Sequence, residues 1–302
     1  MLQKMLLLIC LILSHAAFAK NIALSFDDGL DPSLNTDAHD INHAILSTLK
    51  QYKIHAIVYP SLSKIGSSAG LSLISEWGKQ GHRIGNHGNL HLNLNKAEVK
   101  LNDYLQDIEQ GHQAFSSLPG FVPRYRFPFL KEGNTLKKME GVRQWLNTHH
   151  YQSGAVSIDA SDWYYNQLFL KYQKSNDQKS LDKLKQAYIF HLLDRAHYYD
   201  DLAQNILGRS PNHVLLLHVR AINAAWLEDI IYAFHRQGWT FIDSDRAYQD
   251  AIYKIQPRSL PAGESIVWSI ANIYGLKTLR YPAEDAPYEY ENLKNFGLDG
   301  IN

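Results

Sequence analysis

Two adjacent carboxylates, Asp27 and Asp28, close the apolar run of LSFDDGLDP, residues 24–32, and two imidazoles stand four residues apart in HGNLH, residues 87–91. One carboxylate and two imidazoles form a common catalytic zinc set that leaves a coordination position open for water. On that reading Asp28, His87 and His91 hold a divalent metal, with Zn2+ as the expected ion, and Asp27 faces the water as a general base. Gly29 permits the tight turn that lets neighbouring side chains serve one site, and the two imidazoles are expected on one face of a helical turn. Each piece also has an ordinary alternative. Asp-Asp-Gly after a strand is often a turn with solvated carboxylates, and a chain with 15 His produces such spacings by chance. Like charges side by side are costly unless something positive sits between them, which favours the metal reading.

The elements that must position these groups are short apolar runs, each closing on a polar residue or proline. They are Ile22 to Phe26, Ile54 to Tyr59, Arg83 to Asn86, Tyr125 to Phe127, Ala155 to Ile158, Val214 to Leu217 and Trp239 to Ile242. Helical patterns lie between most of them, for instance Lys96 to Phe115 after Asn95 as N-cap, and Ala224 to Arg236 after Asn223. Alternating strands and helices predict a parallel sheet, and seven such units without a dinucleotide fingerprint predict an α/β fold of distorted (β/α)7 barrel type. In such barrels chemistry gathers at the C-terminal strand ends, where the Asp and His residues fall. Residues 163–212 form a long insertion in which Leu181, Leu184, Tyr188, Leu192, Tyr199, Leu202 and Ile206 trace an apolar helical face, with Ser180 as cap and Gly208 as stop. From residue 256 prolines punctuate a C-terminal extension, residues 256–302, expected to be largely irregular.

The first 19 residues carry a charged start, an apolar core and the small-x-small sequence Ala17-Phe18-Ala19. They read as a signal peptide cut before Lys20, placing the mature chain, with its barrel at residues 20–255, in a secreted or periplasmic setting. Cys10, the single cysteine, lies in that leader, so no thiolate serves the mature chain as nucleophile or ligand. No later run approaches the roughly 20 apolar residues of a membrane span. Lys plus Arg (30) balances Asp plus Glu (30), which gives no electrostatic footprint for nucleic acid.

Five stretches in order, LSFDDG (24–29), GNHGNLH (85–91), RFPF (126–129), DASDW (159–163) and LLLH (215–218), resemble the motifs of the polysaccharide deacetylases with a NodB homology domain, carbohydrate esterase family 4. The resemblance spans roughly residues 20 to 250. It implies a distorted barrel, a divalent metal on Asp28, His87 and His91, and Asp27 as base with Arg126 orienting it. It further implies His218 as general acid tuned by Asp162, with Asp159 the other candidate for that pairing. By the same resemblance Trp163 walls the groove, Leu216 lines the acetyl pocket, and the backbone N–H of Phe129, where the family commonly has tyrosine, helps hold the oxyanion. The expected function is metal-dependent hydrolysis of acetyl groups from an N-acetylated glycan such as peptidoglycan, an exopolysaccharide or a chitin-like oligomer. An O-acetyl esterase and a catalytically silent glycan-binding module are the alternatives. The segment VRAINAAW after His218 departs from the pattern, since the small or acidic residue familiar there is missing.

Overall fold

The computed structural model describes residues 20–280, 282 and 286–301. The expected leader, residues 1–19, lies outside the described residues. Seven strands form one parallel sheet: β1 (Lys20–Asp28), β2 (Ile57–Pro60), β3 (Arg83–Asn86), β4 (Phe121–Tyr125), β6 (Gln152–Ser153), β7 (His213–His218) and β8 (Trp239–Phe241). Two more, β5 (Lys131–Gly133) and β9 (Ala262–Gly263), pair antiparallel beside it. From β1 the ladder runs through β2, β3 and β4 to β6, and on the other side to β7. Beyond β6 the chain reaches back to β7, where the Leu216 N–H donates to the carbonyl of Ile158 at 3.0 Å. The sheet therefore curls until its two ends approach, with the surrounding helices outside it.

β1 is the hub. Ile22 pairs with His213 of β7 on one edge and with Phe241 of β8 on the other, and β2 takes over that second edge from Ser25 onward. A strand paired along both edges and covered on both faces reads as a continuous apolar run, and Ile22 to Phe26 is wholly buried. The register sets Asp27 opposite Tyr59 on one side and His218 on the other. Inside the barrel Arg126 lies over the Tyr59 ring, 4.4 Å from its centroid, and Tyr59 donates to the Tyr248 hydroxyl.

Several boundaries differ from those expected. The strand near Tyr125 runs earlier, over Phe121–Tyr125, because the chain leaves the ladder at Arg126 and Pro128 opens a tight turn whose next two residues, Phe129 and Leu130, have positive φ. The helix expected from Lys96 begins at Leu101. Asn95 is occupied as an acceptor for the Gly133 N–H, and Lys138 holds the carbonyl of Lys96 that a helix there would need. Ala221–Arg236 encloses Asn223 rather than starting after it.

The insertion forms two helices, Asp162–Lys174 and Gln178–Leu207. Five residues of the expected apolar face, Leu184, Tyr188, Leu192, Tyr199 and Leu202, are buried, and Leu181 and Ile206 pack half-buried at its ends. The cap is Asp177, which accepts from the backbone and hydroxyl of Ser180; Gly208 ends the helix in the left-handed region as expected. The C-terminal extension is not largely irregular. It carries β9 and the helices Ile266–Ile273 and Ala286–Asn295, the last with Pro287 as its second residue. Ile266, Val267, Ile270 and Ala271, at helical spacing, are buried against the main core.

Candidate active site at the barrel mouth

The site is built at the C-terminal ends of β1, β3 and β7 and on the loops that follow them. At the end of β1 the backbone turns sharply, with φ of 80° at Asp28 and 86° at Gly29. A side chain at position 29 would also meet the Ile65 methyl at 2.5 Å, so glycine is required there twice over. This turn presents Asp27 and Asp28 to one cavity of about 550 Å³, together with His87, His91, Phe129, Trp163, Leu216 and His218. All ten residues expected at the site thus converge: eight line the cavity, and Arg126 and Asp162 lie directly behind Asp27 and His218.

His87 and His91 come from a loop, not a helical turn. Gly88 and His91 have positive φ, and the buried carboxylate of Asp107 captures the loop by accepting from the Asn89 N–H at 3.0 Å and the Leu90 N–H at 2.6 Å. The two rings meet edge to face with centroids 4.9 Å apart. Ligand atoms of Asp28, His87 and His91 lie within 4.8 Å of one another. Two further observations fit a metal. Asp28 Oδ1 is buried with no hydrogen-bond partner and stands 3.4 Å from His91 Nε2. His87 Nδ1 lies 2.7 Å from the carbonyl of Arg126, so it carries the proton and leaves the Nε2 lone pair free for a ligand bond. Burial pushes both histidines down to about 3, keeping them neutral as ligation demands.

Asp27 is 3% exposed and receives Arg126 Nη1 at 2.8 Å. Burial raises its carboxyl to about 6, and the facing guanidinium keeps it from rising further. Asp28 is shifted the other way: burial opposes its charge, but His218, Arg220 and His91 outweigh that and hold it well below the usual carboxylate range. His218 is raised to about 9, since the attraction of Asp162 overcomes the cost of burial. Its partner is Asp162 rather than Asp159: Nδ1 lies 2.6 Å from Asp162 Oδ1, and the His218 N–H donates to Oδ2 at 2.6 Å. Asp159 lines the cavity nearby.

Four contributors were not anticipated. Asn223 donates to Asp162 Oδ2 and to the His218 carbonyl, locking the pair. Arg220 donates to Asp28 Oδ2 at 2.8 Å. Lys64 lines the cavity, and Asp107 holds the histidine loop. Arg220 and Asn223 lay in the segment already marked as unusual; Lys64 and Asp107 are ordinary polar residues whose roles depend on long-range packing.

At the open end of the curled parallel barrel, Asp28, His87 and His91 form a cluster that could hold a metal ion, with Asp27 and His218 beside it in the same cavity. Residues 16–143 match the family model for polysaccharide deacetylase. A peptidoglycan-N-acetylglucosamine deacetylase of Bacillus cereus is 28% identical over 144 residues, 47% of this chain and 46% of the relative, so the chain spans about half the length of that curated protein. Among solved structures, the peptidoglycan deacetylase PdaC from Bacillus subtilis aligns over 76% of this chain and 91% of its own, with TM-score 0.50 and 21% identity. A mutant of a family 4 carbohydrate esterase pseudoenzyme with restored activity aligns over 76% and 67%, with TM-score 0.52 and 14% identity. At such identities the structural likeness shows the fold, and it agrees with the barrel expected from the sequence.

Proposed function

We propose that this protein is a metal-dependent N-deacetylase of an acetylated glycan, acting outside the cytoplasm. The observation that carries the reading is the pairing of Asp27 with His218. They are neighbours across β1 and β7, and both face the cavity that holds the Asp28, His87 and His91 cluster. Binding a sugar alone requires neither a base nor an acid there. The leader-like residues 1–19 support export, and no described helix is long and apolar enough to cross a membrane.

Asp28 Oδ1 and the Nε2 atoms of His87 and His91 would hold a divalent cation, zinc by preference for this donor set. When bound, such an ion polarises a carbonyl oxygen and makes a water more acidic. Asp27, ionised above about pH 6 and held by Arg126, takes the proton from the water that attacks the acetyl carbon. His218, protonated up to about pH 9, gives its proton to the departing nitrogen as the C–N bond breaks. Acetate and a free amine result. Asp162 and Asn223 hold the imidazole in place, Leu216 walls the pocket for the methyl group, and Trp163 and Phe129 flank the sugar.

The test is to load the protein with zinc, offer N-acetylglucosamine oligomers, peptidoglycan and poly-N-acetylglucosamine, and measure acetate and new primary amine together. Equal amounts of both are expected. In Asp27→Asn, both should fall by about 10²-fold or more with zinc retained, the size of a lost general base. Acetate without amine would make the protein an O-acetyl esterase. Glycan binding with no product from any substrate, at full metal content, would make it a silent binding module.

A further inference from the structure

Asn223 is the third residue of the helix Ala221–Arg236 and is fully buried. Its side-chain nitrogen donates to Asp162 Oδ2 at 2.7 Å and to the His218 carbonyl at 2.8 Å, which occupies both amide protons. The other end of the amide, Oδ1, stands 2.6 Å from the hydroxyl of Tyr188. Turning the amide over would set its oxygen against a carboxylate and a carbonyl, so the Tyr188 hydroxyl donates and Asn223 accepts. Tyr188 is itself fully buried, and burial together with the nearby charge of Asp162 pushes its hydroxyl well above the usual phenol range, so the donor keeps its proton.

Tyr188 belongs to the long insertion helix Gln178–Leu207, and its ring is packed among aromatic neighbours, with centroids 5.3 Å from Tyr165 and 6.4 Å from Trp226. The shorter insertion helix, Asp162–Lys174, reaches the same place, because Asn166 Oδ1 accepts from the Ile222 N–H at 3.1 Å. The segment that follows β7 is thus tied to the insertion at two points. Asp162 takes both the Nδ1 proton and the backbone N–H of His218, so Nε2 is the ring nitrogen left for the substrate. Among the described residues Asn223 is the one donor to Asp162 that does not come from His218 itself. Without it the carboxylate would hang from the group it has to aim.

We propose that Tyr188 is a positioning residue for the general acid: through Asn223 it fixes the plane of the Asp162 carboxylate, and so the direction in which His218 presents its proton. The catalytic consequence rests on the deacetylase reading, whereas the coupling from Tyr188 through Asn223 and Asp162 to His218 is measurable with no substrate present. The insertion then serves the chemistry from behind, by way of one phenol oxygen that never touches the glycan. No covalent step is added.

The experiment compares the zinc-loaded wild type with Tyr188→Phe and with Tyr199→Phe. Tyr199 lies on the same helix, is equally buried, and among the described residues its hydroxyl has no hydrogen-bond partner, so it controls for the loss of a buried phenol oxygen. Two quantities are read: kcat and KM on N-acetylglucosamine oligomers, and the ring N–H resonance of His218 in protein carrying 15N-histidine, identified by its absence from His218→Gln. In Tyr188→Phe kcat should fall about tenfold, a part of the 10²–10⁴ that general acid–base catalysis supplies, with KM and bound zinc unchanged. The Nδ1 proton, held downfield by its short bond to Asp162, should move upfield. Tyr199→Phe should alter neither. Asn223→Ser, which breaks the link from the other side, should lose at least as much, and adding Tyr188→Phe to it should cost nothing further. A His218 proton that stays in place in Tyr188→Phe would overturn the proposal, as would an equal loss in Tyr199→Phe or additive losses in the double variant. If the wild type releases no acetate from any glycan, the deacetylase reading falls, and the His218 resonance alone still decides whether Tyr188 holds the pair.

Discussion

Asp27 and His218 occupy paired positions on adjacent strands, yet their surroundings drive them to opposite duties. Burial lifts Asp27 to about 6 in spite of Arg126, and Asp162 lifts His218 to about 9 in spite of burial. A base must be deprotonated and an acid protonated, so activity falls as pH drops through the first value and again as pH rises through the second. A bell-shaped profile of kcat/KM is expected, and a cation bound beside both groups moves each limb downward. Asp162→Asn removes the charge that raises His218, so its alkaline limb should shift to lower pH while the acid limb stays. A profile whose alkaline limb ignores that substitution would remove His218 from the acid role. At this scale the cluster was legible, because Asp27 with Asp28 and His87 with His91 are compact in sequence and chemically distinctive. Arg220 was not, since its meaning is a contact with a residue 192 positions away.

The strand ends were readable because each apolar run breaks off at the residue that faces the mouth, as Phe26 gives way to Asp27 and Leu217 to His218. Loops and helix starts were less so, because tertiary partners decide them. The histidine loop is the clearest case: HGNLH was expected as a helical turn, but Asp107, from the helix Leu101–Phe115, takes two of the three N–H groups between the histidines and fixes a different path. Asp107→Ala should therefore cost about 1–3 kcal/mol in a denaturant titration, since two partly buried N–H groups lose their acceptor. It should also weaken zinc binding by roughly 10–100-fold in a chelator competition, as loss of support behind metal ligands does. A stable variant with undiminished zinc affinity would show that the loop holds itself.

Across the whole molecule the segment that matches the family model ends at residue 143, whereas Asp162 and His218 lie beyond it. The insertion and the C-terminal extension steady that second half. Glu289, in the C-terminal helix Ala286–Asn295 and 2% exposed, accepts from the Ser161 hydroxyl at 2.8 Å and the Tyr165 hydroxyl at 3.0 Å. It also stands 3.1 Å from His191 Nδ1. Ser161 immediately precedes Asp162, so a residue near the end of the described chain grips the turn that holds His218. Removing the acidic member of such a buried cluster costs about 3–5 kcal/mol, and Glu289→Ala should lose that much in urea unfolding. A loss under about 1 kcal/mol would show that the helix is merely resting there. This link was hidden in the sequence, where prolines at 257, 261 and 282 suggested an unstructured tail and nothing marked a glutamate as the far anchor of an active-site aspartate.

The fork in β1 bears on how each copy is made. The strand carrying Asp27 and Asp28 is at the start of the described chain, but its partners His213 and Phe241 come some two hundred residues later. A chain emerging N-terminus first displays an apolar strand with one edge bare, an invitation to pair with the wrong neighbour until the last third arrives. Distant pairings of this kind also slow folding. The arrangement that brings base and acid together thus makes the interval between synthesis and closure the most vulnerable moment in the life of the protein.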